Sequence, residues 1–274
     1  MNWKKLQNGS DIRGVALEGI EGEHVNLTPE VIETIAKSFV RWIRNTIDCQ
    51  TPKIAVGTDS RLSGSTIKGA FVKGAVEAGA DVVDCGLAST PAMFMTTVND
   101  EVQATASVMV TASHLPYNRN GLKFFTPKGG LDSSDIAAIL DIAERADYGY
   151  DGAAGSSDRL DFMDIYSRHI ADYICQGVQA DDSQHPLKGM HIVVDAGNGG
   201  GGFFEKILSQ LGADTQGSLF LDPDGRFPNH IPNPENAEAM ASVCRAVADS
   251  NADLGVIFDT DVDRSAIIGR KGEP

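Results

Sequence analysis

The sequence predicts an α/β protein built from two similar units, and three observations predict it. The chain has 274 residues, 42% of them hydrophobic, which is long for one core when domains average about 100 to 200 residues. One order of elements is written twice: strand, glycine-containing turn, helix, a Gly-Ala-Asp exit, and a later strand. In each half that later strand is an apolar run, Ser107–Val110 or Leu254–Phe258, that empties into a polar loop. Ligands of open α/β sheets gather beyond the carboxyl ends of strands, so the repeat predicts two loops facing one cleft between the domains.

Taken in order, Thr28 caps a helix with Pro29 in its first turn, and Val31, Ile32, Ile35, Phe39 and Ile43 form its apolar stripe. Residues 54–56 form a strand, a polar turn follows, and a helix runs from about Ser65 to Ala78 into Gly79-Ala80-Asp81. Val82 and Val83 start a strand, and Ala106 to Val110 form the later one. Ser133 or Ser134 opens a helix through Ile136, Ile139, Leu140 and Ile142. The small, polar stretch Asp151 to Ser157 reads as a linker, which places the boundary between units 1–152 and 153–274. The second unit holds a helix from Phe162 to Gln176, a strand from Met190 to Val194, and a glycine-rich turn from Asp195 to Gly202. A helix from Phe203 to Leu211, the exit Gly212-Ala213-Asp214, a helix from Asn236 to Asp249 and the strand Leu254–Phe258 complete it.

Composition narrows the function. A formal charge of −15 argues against nucleic acid and anionic membrane surfaces, which attract basic patches. No stretch approaches the roughly 18 apolar residues of a membrane span, and Met1 to Gly9 lack a signal peptide's apolar region, so cytoplasmic residence is the expectation. Cys49, Cys85, Cys175 and Cys244 form no Cys-x-x-Cys pair and read as buried thiols rather than zinc ligands or disulfides. His24, His169, His185, His191 and His230 are dispersed and read as surface or satisfied core groups. The Asn198–Gly202 turn lacks dinucleotide-binding spacing and reads as structural, and Asp222–Gly225 lacks the terminal glutamate of a calcium loop.

Two segments carry chemistry. Asp259, Asp261 and Asp263 stand at alternate positions after an apolar strand, whose alternation would point them the same way as oxygen ligands for Mg²⁺. The segment Thr111 to Phe124 crowds a hydroxyl, an imidazole and an ammonium together. A serine bearing a phosphoryl group needs a metal, a proton acceptor for the attacking alcohol and cations for the spread charge; Ser113, His114 and Lys123 fit those needs. The bland alternative for this segment is an ordinary Ser/Asn/Gly turn, for which Asn120-Gly121 is a typical signal.

Together these segments resemble the α-D-phosphohexomutase family, which includes phosphomannomutase and phosphoglucomutase. Thr111-Ala112-Ser113-His114 with Asn120-Gly121-Leu122-Lys123 looks like that family's phosphoserine loop, and Asp259 to Arg264 like its magnesium loop. Ser10 to Gly14 resembles its Asp-Ile-Arg-Gly motif, and Gly57 to Gly64 its Gly-x-Asp-x-Arg-x-Ser-Gly segment. Leu115 stands where the family commonly has Asn, and Thr260 where it commonly has Gly; Thr avoids the positive φ that Gly accepts.

The resemblance implies two α/β/α domains with mixed sheets, the first bearing the phosphoserine loop and the second the magnesium loop. It implies that Ser113 is stored as phosphoserine, with Mg²⁺ between its phosphate and Asp259, Asp261 and Asp263. A hexose phosphate would then be converted between its 1- and 6-phosphates through a hexose 1,6-bisphosphate. His114 or Lys123 would take the attacking hydroxyl's proton. A phosphoserine adds about −1.5 to −2 charges beside three carboxylates, so Arg13, Lys123 and Arg264 are the expected compensating cations. Arg61 either braces the loop or contacts a ligand. The family's third and fourth domains, with a sugar-recognition loop of Glu-x-Ser-Gly type and a phosphate-gripping Arg-x-Ser-x-Thr-Glu-Pro loop, have no counterpart in the sequence. The expectation is therefore a two-domain fragment with weak turnover. Two rival readings are an aspartyl-phosphate phosphatase with Asp259 as nucleophile and a non-catalytic sugar-phosphate or metal binding module. The sequence does not specify which hexose is bound, nor an oligomeric state.

Overall fold

A computed structural model of the chain describes residues 1–273. It divides into two compact units, Met1–Asp161 and the chain from Phe162 onward.

The first unit opens with a short 3-10 turn, Trp3–Leu6, and the strands β1 (Gln7–Asn8) and β2 (Asp11–Val15). Then come α1 (Pro29–Ile47), β3 (Lys53–Thr58), α2 (Gly64–Glu77), β4 (Asp81–Leu87), α3 (Thr90–Met95) and β5 (Ala106–Val110). The unit ends with β6 (Arg119–Thr126), β7 (Gly129–Gly130), α4 (Ser133–Arg145) and β8 (Ser157–Arg159). The sheet order is β1-β2-β6-β5-β3-β4-β8, with β7 on β6. It is mixed: β5, β3, β4 and β8 run parallel, whereas β6 is antiparallel to both β5 and β2.

Why these residues take these elements is local chemistry. Thr28 caps α1 by accepting the Val31 N–H, and its stripe turns Ile32, Ile35, Phe39 and Ile43 into the core. Asp132, one residue before the expected serines, caps α4 in a reciprocal capping box with Asp135. Alternation along β5 sends Ala106, Val108 and Val110 to the core under α1, α2 and α4. On the opposite face the Ser107 hydroxyl donates to the Met93 carbonyl of α3, 2.6 Å away. Phe39 and Phe124 meet across that core with ring centroids 4.7 Å apart.

The second unit holds α5 (Phe162–Val178), β9 (Ile192–Asp195), α6 (Gly202–Gln210), α7 (Ala237–Ser250), β10 (Leu254–Phe258) and β11 (Ser265–Gly269). β9 and β10 are parallel and β11 returns antiparallel to β10. Alternation splits the sheet's side chains between two cores: Ile192, Val194, Val256 and Phe258 lie under α5 and α6, and Val193, Ile257 and Ile268 under α7.

The repeat is thus one of topology. In each unit a strand parallel to its inner neighbour ends in a polar loop and returns antiparallel, β5 to β6 and β10 to β11. Among the described residues the second unit has no strand matching β4; the isolated bridges His191 to Asp214 and Asp195 to Leu219 stand there instead.

Two expectations are corrected, and one alternative reading is set aside. Residues 153–161 belong with the first unit: the Gly155 N–H donates to the Val76 carbonyl, Ser156 bonds Asp81, and β8 pairs with β4. Small, polar residues suit an edge strand as well as a linker. Asn120 and Gly121 sit inside β6, not in a turn. Gly121 is needed for close approach, since a Cβ there would stand 2.4 Å from the Ile12 carbonyl oxygen and 3.0 Å from that of Thr111. Of the four unpaired cysteines only Cys85 is buried, and burial pushes its thiol up to about 12. Among the described residues no helix is long and apolar enough to cross a membrane.

Candidate functional site

The serine loop leaves the end of β5. Ser113 is buried and holds a left-handed backbone, φ 54°. Its N–H donates to Thr111 Oγ1 at 2.9 Å, and Thr111 Oγ1 donates to Asp59 Oδ2 at 2.7 Å. Arg61 lies beneath the loop. Its guanidinium donates to the carbonyls of Ser113, Leu115, Pro116 and Arg119 at 2.5, 2.6, 2.8 and 2.9 Å, and its Nε is 3.4 Å from Asp59 Oδ2. Arg61 therefore braces the loop. Leu115 takes part through backbone groups, its N–H donating to the Ala112 carbonyl and its own carbonyl facing Arg61.

The other expected groups of this half lie on neighbouring elements. Ser113 Oγ and His114 Nδ1 are 3.4 Å apart. Lys123, in β6, stands in register between Met109 of β5 and Asp11 of β2. Arg13, in β2, faces Gly121 across the ladder and carries its own counterion, Asp11 Oδ2 at 2.7 Å. A second clamp closes on the loop's far end, where Glu23 accepts from Asn118 at 2.7 Å and from Arg119. The hydrogen bond from Arg119, with that from Asn118, holds the Glu23 carboxyl below its ordinary range.

The acidic loop is the tip of the β10–β11 hairpin. β10 ends at Phe258, so the three aspartates converge through a turn rather than through continued strand alternation. The hinge is Val262, φ 67°, whereas Thr260 keeps an ordinary backbone with no positive φ. One oxygen from each of Asp259, Asp261 and Asp263 lies within 4.8 Å of the others. Asp259 and Asp261 are fully buried. Burial first, then the charges of Asp261 and Asp263, push the Asp259 carboxyl up to about 7. Two buried carboxylates and the exposed one of Asp263 converge as an all-oxygen donor set that fits a hard divalent cation such as Mg²⁺. Arg264 folds back on the cluster, its Nη2 3.0 Å from Asp259 Oδ2 and its Nη1 3.2 Å from Asn233 Oδ1.

Sequence reading missed the supports beneath both loops. Asp59 and Thr111 stand in quoted motifs, and their spacing signalled a loop without revealing its internal bonds. The Asn198–Gly202 turn lies against the acidic loop. Gly200 donates to the Thr260 carbonyl at 2.8 Å. A Cβ on Gly199 would stand 2.7 Å from that same oxygen. At the start of this turn His230 Nε2 lies 3.1 Å from both oxygens of the buried Asp195. Burial alone would lower the imidazole, but the hydrogen bond and charge of Asp195 outweigh it and hold His230 above its ordinary value. No local signal marks this pair, whose members are 35 residues apart.

Two mixed α/β/α units, one with a braced serine loop and one with an acidic hairpin tip, define a recognisable class. Residues 4–149 match the description "Phosphoglucomutase/phosphomannomutase, alpha/beta/alpha domain I" and residues 164–272 match domain II of the same family. The chain belongs to the phosphoglucomutase/phosphomannomutase family. It is 31% identical to a phosphoglucomutase of Neisseria meningitidis serogroup B, over 96% of this chain and 52% of that protein. To a phosphomannomutase of Salmonella montevideo it is 30% identical, over 98% of this chain and 57% of the other. A crystal structure of a family protein from Burkholderia thailandensis superimposes with a TM-score of 0.77 at 28% identity, covering 97% of this chain and 54% of that one. The chain thus spans about half the length of these relatives.

Proposed function

We propose that this chain carries the phosphoryl-transfer half of a phosphohexomutase, with Ser113 as the phosphoryl carrier and hexose 1- and 6-phosphates as substrates. The observation that carries the reading is the buried, left-handed Ser113, whose Oγ lies 3.4 Å from the His114 imidazole. A serine serving only as a turn residue needs no proton acceptor beside it.

In the proposed step, a sugar hydroxyl at carbon 1 or carbon 6 attacks the phosphorus on Ser113. The new P–O bond forms as the P–Oγ bond breaks, and the hydroxyl's proton passes to His114 or Lys123. The hexose 1,6-bisphosphate then returns its other phosphoryl group to Ser113, releasing the isomeric monophosphate. Lys123 and Arg13 offset charge on the serine side, and Arg264 does so beside the aspartates. Asp259, Asp261 and Asp263 are the residues that would hold Mg²⁺, which when bound supplies Lewis-acid neutralisation of phosphoryl oxygens.

The test is loading. With glucose 1,6-bisphosphate and Mg²⁺, intact mass and peptide mapping should find one phosphoryl group, on Ser113, and none on the Ser113→Ala protein. Label on Asp259 that hydroxylamine releases would instead establish an aspartyl-phosphate enzyme. Binding without any label would leave a binding module.

A further inference from the structure

Arg61 and Asp59 are a buried ion pair with both side chains fully inaccessible. Such a pair contributes little net stability after desolvation, so its retention asks for a geometric task. The contacts specify one. The guanidinium spans four carbonyls between Ser113 and Arg119. Both carboxylate oxygens of Asp59 are engaged, Oδ1 accepting the Arg61 N–H at 3.0 Å and Oδ2 accepting the Thr111 hydroxyl at 2.7 Å. Thr111 Oγ1 in turn accepts the Ser113 N–H at 2.9 Å.

The relay therefore grips Ser113 at both ends, its N–H through Thr111 and its carbonyl through Arg61. Pinning the peptide groups on either side of one Cα fixes φ and ψ, and with them the direction of Cβ and Oγ. The pinned conformation is one that a serine seldom adopts by itself, φ 54°, and such conformations persist where the surroundings over-determine them. We infer that Arg61, Asp59 and Thr111 are positioning residues that aim the Ser113 oxygen for in-line phosphoryl transfer. Arg61, with its donors turned into the loop, acts through that loop rather than by gripping a substrate phosphate. The consequence for rate rests on the function proposed above; the geometric clamp stands on the contacts alone.

The test uses the full chain with Thr111→Val, which keeps shape and removes the hydroxyl, Thr111→Ser, which restores it, and Arg61→Lys, which replaces the planar fork by a point donor. Single-turnover loading from glucose 1,6-bisphosphate with Mg²⁺ should slow about 100-fold in Thr111→Val, the scale expected of a misaimed nucleophile. The half-saturating bisphosphate concentration should not change. Thr111→Ser should recover to within a few-fold, and Arg61→Lys should slow at least as much as Thr111→Val. Should Arg61→Lys fail to fold, the threonine pair still decides. An unchanged loading rate in Thr111→Val, or a shifted half-saturation at constant rate, overturns the inference. Amide hydrogen exchange at Ser113 reads the clamp without chemistry: it should accelerate at least 10-fold in Thr111→Val and stay slow in Thr111→Ser. If the wild-type chain takes no phosphoryl group, the functional reading fails and exchange alone decides. Protection unaltered in Thr111→Val then sinks the clamp, and lost protection sustains it.

Discussion

The backbone N–H of Gly200 donates to the carbonyl of Thr260 at 2.8 Å, fastening the glycine-rich turn after β9 to the tip of the β10–β11 hairpin. The aspartate-bearing tip is thus tied to a turn some sixty residues away in sequence.

Gly199→Ala tests this support. Its methyl would fall 2.7 Å from the Thr260 oxygen and 2.8 Å from the Thr260 Cα, backbone atoms that cannot swing aside. We expect a loss of about 1–3 kcal/mol in urea unfolding, typical of overpacking. Calorimetric Mg²⁺ affinity should weaken at least tenfold. Wild-type affinity in the alanine variant would show that the turn does not set the aspartate geometry.

Asp261→Asn separates stability from metal binding by sign. The Asp261 charge helps push the buried Asp259 upward, so removing it relieves like-charge repulsion in the metal-free protein. Thermal unfolding in chelator should rise, while the increase in midpoint on adding Mg²⁺ should vanish. A variant that melts lower in chelator and still responds fully to Mg²⁺ contradicts both the repulsion and the ligand role.

Ser113→Gly exchanges function for stability. An L residue pays about 1–2 kcal/mol in the left-handed region that glycine occupies freely, and Ser113 holds φ 54°. The variant is expected to gain about 1 kcal/mol in denaturant unfolding and to take no phosphoryl label at this position. A clear loss of stability would mean that the serine hydroxyl contributes more than the strain costs.

His230 supplies the pH dependence. The Asp195 carboxylate holds its imidazole above the ordinary value, so the folded state binds the proton more tightly than the unfolded chain. That contribution is fully present below the unfolded pKa, about 6.5, and is lost as pH rises through the raised folded value. Denaturation midpoints followed from pH 5.5 upward should fall across that window in the wild type and run flatter in His230→Gln. Parallel profiles would exclude the pair as their source. Asp195→Asn, which removes the carboxylate that keeps the imidazole charged, leaves burial to favour the neutral ring and should flatten the profile as His230→Gln does.

The sequence by itself determined the α/β class, the two units, most helices and both chemical loops. Those features are written in short-range terms: the Thr28 cap, the α1 stripe, the alternation of β5 and β10, and clustered hydroxyl, imidazole and carboxylate groups. It was ambiguous where one local pattern serves two ends, as with Asn120-Gly121 in a strand and residues 153–161 along a sheet edge. Only the tertiary structure decided how side chains are held. It brought the aspartates together through a turn hinged at Val262, spent Arg61 on four loop carbonyls, and joined Asp195 to His230. The physical reason is range. Helix and strand follow from each residue's near neighbours, whereas a buried polar group must find its partner wherever the folded chain provides one, and desolvation makes that pairing obligatory.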